Sequence, residues 1–243
     1  MQTLFVAGFG PGDPSHMTAA CRDALEAADV IVGYSMYVDL LRPLYPNKRT
    51  YATPMMREEE RCRAALKMAA GGETVAVVCS GDAGVYGMAG LILELAAEYP
   101  SVEVVVVPGV TAALAGAAVL GAPLSHDFAV VSLSDLLTPW EQIQRRLDCA
   151  AAGDFCIALY NPSSKKRSDY LARACDILLR HKSKDTLCGL VQNIGRDGES
   201  KAILPLGELR NAQVDMFTTV FVGNAQTKEI LGRMVTPRGY RLG

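Results

Sequence analysis

Three short turns carry residues suited, by type and order, to a bound small molecule: Gly8-Phe9-Gly10-Pro11-Gly12-Asp13, Ser80-Gly81-Asp82-Ala83-Gly84-Val85-Tyr86 and Pro108-Gly109-Val110-Thr111-Ala112-Ala113. Glycine lets backbone approach a ligand closely or adopt left-handed conformations. Asp82 adds a carboxylate among bare amides, which suits an ammonium or hydroxyl partner better than a phosphate. The nucleotide readings fail on detail. The first turn is GxGxG rather than GxGxxG, Pro11 removes an amide donor, no acidic residue closes the second apolar run at Gly33-Tyr34, and no Gly-Lys-Ser/Thr follows. Any one such turn also serves as plain punctuation between a strand and a helix.

The supporting strands and helices are legible as alternating patterns. Apolar, β-branched runs at Leu4–Ala7, Val30–Val32, Val75–Cys79, Val102–Val107, Phe128–Leu133, Phe155–Tyr160, Thr186–Val191 and Phe217–Val222 read as buried strands. Between them Met17–Ala28, Arg57–Ala70, Gly87–Glu98, Ala112–Leu120, Glu141–Ala151, Asp169–His181 and Thr227–Gly232 read as helices. This alternation predicts an α/β fold with largely parallel sheets. All three turns then leave carboxyl ends of strands and converge on one crevice. Weak periodicity from Gly116 to Ser125 places a boundary near residue 120, giving two α/β domains of similar size, 1–120 and 121–243.

Composition narrows the function. The chain has 243 residues, 50% hydrophobic and 21% charged, and 24 Lys+Arg against 26 Asp+Glu leave a net charge of −2. No global basic field exists for nucleic acid or an anionic membrane, so any anion site must be local. No apolar run reaches the roughly 18 residues of a membrane helix, and the N-terminus lacks the basic segment of an export signal. The seven cysteines form no CxxC pair, which argues against a disulfide framework or a metal ribbon. They read as buried reduced thiols in a cytoplasmic protein.

The three turns, in order with Gly87-Met88-Ala89-Gly90 and Ala158-Leu159-Tyr160-Asn161-Pro162, resemble the successive motifs of the tetrapyrrole (precorrin) methyltransferases over the whole chain. Gly33-Tyr34-Ser35-Met36-Tyr37, His126-Asp127-Phe128, Ser132-Leu133-Ser134-Asp135-Leu136-Leu137-Thr138-Pro139-Trp140, Val214-Asp215-Met216-Phe217-Thr218-Thr219 and Thr236-Pro237-Arg238-Gly239-Tyr240 are similar to one branch, the C-17 methyltransferases acting on precorrin-3B or cobalt-factor III in cobalamin biosynthesis. The resemblance implies two domains with S-adenosyl-L-methionine in the cleft between them, in a homodimer. It assigns the cofactor to Pro11, Ser80, Gly81, Asp82, Val85, Thr111 and Ala112 in the first half, and to Asn161 and Ile194 in the second. The chain departs from the family at Ala83, where proline is common, and at Ile194, where glycine or alanine is common.

A methyl sulfonium needs alignment and exclusion of water more than an enzymic nucleophile. The ring contraction that the branch resemblance implies calls for proton transfer, for which His126, Asp127 and Asp135, with Tyr34 and Tyr37 after the second strand, are the candidates. A structural role for His126 and a cap or turn role for Asp135 are the plainer alternatives. Tyr34, Arg57, Lys165 (in Lys165-Lys166-Arg167) and Arg238 are candidates for holding the carboxylated macrocycle, with solvated surface charge as the alternative for the basic residues. Trp140 reads as an anchor for the helix that it precedes. A methyltransferase acting at another position of a corrin precursor fits the same residues. A nicotinamide-dependent oxidoreductase lacks its ribose-binding acid. A non-catalytic tetrapyrrole carrier would not need Asp82 and Thr111.

Overall fold

The structure, a computed structural model, describes residues 2–164 and 168–241. The chain divides into two compact units, Met1–Ala112 and Ala113–Gly243. The division lies eight residues before the expected one at 120, because the helix Ala112–Leu120 packs with the second half of the chain. Gly116 there leaves room for the Phe221 ring and the Ile194 side chain, both under 3.0 Å from where a Cβ would stand.

The first unit runs β1 (Gln2–Gly8), a 3-10 turn (Pro14–His16), α1 (Ala19–Ala27), β2 (Val30–Tyr34), α2 (Ser35–Leu41), β3 (Arg49–Thr53), α3 (Glu58–Ala70), β4 (Val75–Cys79), α4 (Ala89–Ala96) and β5 (Val102–Val107). Its sheet has the order β3-β2-β4-β1-β5, and every pairing is parallel. Parallel strands covered on both faces need apolar side chains on both. Leu4, Val6, Val75 and Val77 pack under Leu66 of α3 and Ile92 of α4. Ala7, Ile31, Ala76 and Val78 pack under Leu25 of α1 and Val38 of α2. Each fully buried Val, Leu or Ile contributes about 1.5–3 kcal/mol. Thr18 starts α1 by accepting the Cys21 N–H at 3.1 Å, a side-chain N-cap.

The second unit holds α5 (Ala112–Leu120), β6 (Gly121–Ala122), β7 (Phe128–Ser132), α6 (Trp140–Ala152), β8 (Cys156–Tyr160), α7 (Tyr170–Leu178), β9 (Leu187–Gln192), β10 (Ser200–Pro205), α8 (Leu206–Leu209), β11 (Thr218–Val222), β12 (Lys228–Ile230) and β13 (Arg233–Val235). Its five-stranded sheet has the order β10-β9-β11-β8-β7. Only β7 and β8 pair in parallel; β11 is antiparallel to both β8 and β9, and β10 is antiparallel to β9. The expectation of largely parallel sheets therefore holds for the first unit alone.

Two further corrections have local causes. Thr227–Gly232 is not a helix: Lys228–Ile230 and Arg233–Val235 form a hairpin with Ile230 opposite Arg233. Its two turn residues, Leu231 (φ 51°) and Gly232 (φ 71°), both lie in the left-handed region that a tight two-residue turn requires. β3 and β10 are edge strands with mostly exposed or half-exposed positions and lack the longer β-branched runs of the other strands. Pro205 at the end of β10 is tolerated there as an edge residue.

Six cysteines are buried and Cys149 is exposed. Burial pushes the thiols of Cys21 and Cys79 up to about 11, those of Cys62 and Cys175 to about 12, and that of Cys188 higher still, because a thiolate is poorly solvated there. A raised native pKa favours folding below the unfolded value of 9.0, and the gain is lost as pH climbs through the native values. At pH 8 the native protein is expected to react with one equivalent of a disulfide reagent, at Cys149, and the denatured chain with seven. More than one fast-reacting native thiol would contradict this packing.

Candidate active site

The three glycine turns leave β1, β4 and β5, which are neighbours in the order β4-β1-β5, so parallel pairing puts their carboxyl ends side by side. The turns then lock to one another. Gly10 and Gly81 form an antiparallel bridge, with the Gly10 N–H donating to Gly81 O at 3.1 Å and the Gly81 N–H to Gly10 O at 2.7 Å. Both have positive φ, 81° and 73°. A Cβ at Gly109 would stand 2.1 Å from Gly81 O and 2.4 Å from Gly8 O, so backbone packs on backbone and only glycine fits.

Asp82 joins all of this. Its Oδ1 accepts the N–H groups of Gly84 (2.8 Å) and Val85 (3.1 Å), and its Oδ2 accepts that of Gly109 (2.8 Å). The sequence suggests a carboxylate waiting for a ligand's ammonium; the structure shows one occupied by three backbone donors. Thr111 adjoins Gly81: a Cβ there would lie 3.6 Å from Thr111 Cα and 3.8 Å from the Ala112 nitrogen. Pro11, buried, follows Gly10 directly, and half-buried Ser80 and Val85 flank Gly81 and Asp82. One edge thus gathers Pro11, Ser80, Gly81, Asp82, Val85, Thr111 and Ala112.

Tyr34, at the carboxyl end of β2, shares this edge and stacks edge-on with Tyr37 at 5.1 Å, which in turn meets Phe9 at 5.8 Å. Arg57 precedes α3, exposed, and pairs with Glu60 at 3.2 Å. One turn further on, Arg61 is buried, donating Nε–H to Thr53 Oγ1 at 2.9 Å and Nη2–H to Pro54 O at 3.1 Å. Sequence reasoning missed Arg61; its place between Glu60 and Cys62, four residues ahead of buried Ala65, is the signal that sets it on the inner face.

In the second unit β7, β8 and β9 run the same way, so Ser132, Asn161 and Asn193 follow or close their carboxyl ends on one edge. Asn161 and Asn193 both take φ 53°, and the Asn161 amide donates to Ser132 Oγ at 2.9 Å. Ile194, buried, follows Asn193 and packs toward Gly116. The Tyr160 hydroxyl accepts the Ala113 N–H at 2.7 Å at the start of α5. On the same edge the Tyr170 hydroxyl donates to Asp135 Oδ2 at 2.5 Å, which raises the Tyr170 pKa. Trp140 packs on Tyr170 at 4.6 Å, and the Arg173 guanidinium covers the Trp140 ring at 3.9 Å, so Trp140 anchors α6 to α7.

His126 and Asp127 are not on that edge. They precede β7 at its opposite end, roughly 13 Å of strand from Ser132, and are exposed. His126 Nδ1 accepts the Asp127 N–H at 2.9 Å, a local turn contact. Arg238 is exposed in the tail beyond Thr236, whose hydroxyl is held by Pro123 O at 2.7 Å. Lys165 lies outside the described residues. Among the described residues no cluster of His, Cys, Asp and Glu could hold a metal ion, and no helix is long and apolar enough to cross a membrane.

Residues 3–210 match the family model of Tetrapyrrole (Corrin/Porphyrin) Methylases, and the chain belongs to that family. It is 48% identical to a protein of Salmonella typhimurium named probable cobalt-factor III C(17)-methyltransferase, covering 98% of this chain and 100% of that one. It is 43% identical to a precorrin-3B C(17)-methyltransferase of a Sinorhizobium species, covering 93% of this chain and 90% of the relative. The crystal structure of the methyltransferase CobJ superposes with a TM-score of 0.90 at 38% identity, covering 98% of this chain and 100% of that one.

Asp82→Ala leaves three N–H groups without their acceptor, at about 1–3 kcal/mol for each that stays buried. The expected outcome is a lowered Tm together with loss of S-adenosylhomocysteine binding by calorimetry. Full affinity with an unchanged Tm would show that Asp82 does not hold the turns.

Proposed function

We propose that this chain is an S-adenosyl-L-methionine-dependent C-17 methyltransferase of cobalamin biosynthesis, which methylates cobalt-factor III or precorrin-3B with contraction of the macrocycle. The observation that carries this reading is the Asp82-centred turn edge, in a chain 48% identical over its whole length to a relative bearing that activity in its name. Cobalt-factor III is the favoured substrate, since the relative at 48% identity is named for it and the one named for precorrin-3B stands at 43%. The same reading carries a cytoplasmic homodimer.

The turn edge fits the cofactor. The glycines keep Cβ atoms out of it, the hydroxyls of Ser80 and Thr111 and the apolar faces of Pro11 and Val85 border it, and the Asp82 carboxylate is already committed to backbone. Asn161 and Ile194 are the proposed contacts from the second unit. When bound, S-adenosyl-L-methionine supplies an electrophilic methyl group on a sulfonium. The chain's own task is then to hold, orient and exclude water, and it needs no nucleophilic side chain. Purified protein incubated with S-adenosylmethionine and cobalt-factor III is expected to yield a product heavier by one methyl group. Transfer to precorrin-3B alone would move the assignment to the metal-free substrate, and transfer to neither would end it.

For the proton transfers of ring contraction, Asp135 is the proposed group and Tyr170 its positioning partner. Asp135 lies on the edge that carries Asn161, whereas His126 and Asp127 lie at the far end of β7. Asp135→Asn is expected to keep cofactor affinity and lose contraction by at least about tenfold, in the range general acid–base catalysis supplies. His126→Ala is expected to retain turnover within about twofold. The reverse pattern, read by product mass spectrometry, would return the role to His126.

A further inference from the structure

Two cations are buried among the described residues, and their surroundings differ in kind. Lys182 is 6% exposed and its ammonium stands 2.9 Å from Asp154 Oδ1. Arg61 is 4% exposed and has no carboxylate partner among the described residues. Its nitrogens meet only the Thr53 hydroxyl, the Pro54 carbonyl and, from Nη1 at 3.7 Å, the Met88 sulfur. A guanidinium has five N–H donors. Three are used here, one on a thioether that accepts weakly, and one N–H on each Nη is left over. Buried charges are normally paired, because desolvating an ion without compensation is costly.

The position of Arg61 says what completes it. Thr53 ends β3, and Met88 follows the Ser80–Tyr86 turn after β4, so the guanidinium ties together two segments on the carboxyl edge of the first sheet. Those segments present exposed apolar side chains, Met56 at 72% and Tyr86 at 57% exposure, both held at positive φ, 67° and 55°. Non-glycine residues in that region carry strain that the surrounding structure must support. Met88 is unbranched and flexible, so its sulfur can yield to a stronger acceptor.

Resting on the tetrapyrrole reading of this chain, we infer that Arg61 is a carboxylate anchor: an acetate or propionate group of the macrocycle replaces the Met88 sulfur and supplies the missing counter-ion, while Met56 and Tyr86 border the ring. The planar fork suits two parallel hydrogen bonds to a carboxylate. Neither the exposed Arg57–Glu60 pair nor the tail Arg238 has this incomplete, desolvated environment.

The test uses uroporphyrin, a porphyrin octacarboxylate, titrated into the full-length protein by fluorescence, with S-adenosylhomocysteine affinity measured in parallel. Arg61→Met is expected to weaken porphyrin binding about tenfold or more, the scale of a lost charge-assisted hydrogen bond. Cofactor affinity stays unchanged, and with substrate KM rises while kcat holds. Arg61→Lys keeps the charge without the fork and falls between, which preserves the test if Arg61→Met does not fold. Equal porphyrin affinity in wild type and variants, or equal loss of porphyrin and cofactor binding, overturns the anchor and leaves the methyltransferase reading standing. A wild type that transfers no methyl group to either corrin precursor and binds no porphyrin overturns both.

Discussion

The carboxylate of Asp82, shared among the N–H groups of Gly84, Val85 and Gly109, underlies the whole turn edge of the first unit. Three strands ending side by side would leave three loops free to splay, each with unpaired backbone donors. One short acidic side chain satisfies those donors and fixes two of the loops against each other, and the Gly10–Gly81 bridge adds the third. Backbone can pack this tightly only where Cβ atoms are missing. Gly8 and Gly109 are therefore demanded by the packed backbone before any ligand arrives, and Gly81 by its positive φ of 73°.

An edge built from backbone suits a reaction in which the protein contributes position rather than chemistry. Its hydrogen bonds run from turn to turn, Gly10 with Gly81 and Asp82 with Gly84, Val85 and Gly109. The buried cysteines fit the same logic: desolvation keeps Cys21, Cys62, Cys79, Cys175 and Cys188 as neutral thiols and core filler. The second unit repeats the device with different residues. Asn161 and Asn193 take the left-handed conformation at strand ends, and Asp215 ties its own turn by accepting the Phe217 N–H at 2.9 Å and the Thr218 hydroxyl at 2.8 Å.

Charge is placed singly, as a chain with net −2 requires if it is to hold an acidic ligand. Several arginines use their charge in surface pairs, such as Arg63 with Glu59 and Glu98, or Arg210 with Asp176. Such pairs contribute little to stability. Arg61 is the exception, since burial without a counter-ion is unfavourable unless something else compensates it.

The α/β class, eight of the strands and the three glycine turns are legible from residue order alone, because strands packed on a core leave apolar, β-branched runs and tight turns leave glycine. The Asp82 turn is legible in the same way, though not what Asp82 holds. The rest is settled by packing in three dimensions. The direction of β11, the edge strands β3 and β10 and the β12–β13 hairpin depend on neighbours distant in sequence. The same holds for side chains: Arg57 and Arg61 read alike in one charged segment, and His126 and Asp135 both flank one strand. Only the folded chain shows which arginine is sealed inside and which acid shares an edge with Asn161, because burial and proximity are properties of the fold and not of residue order.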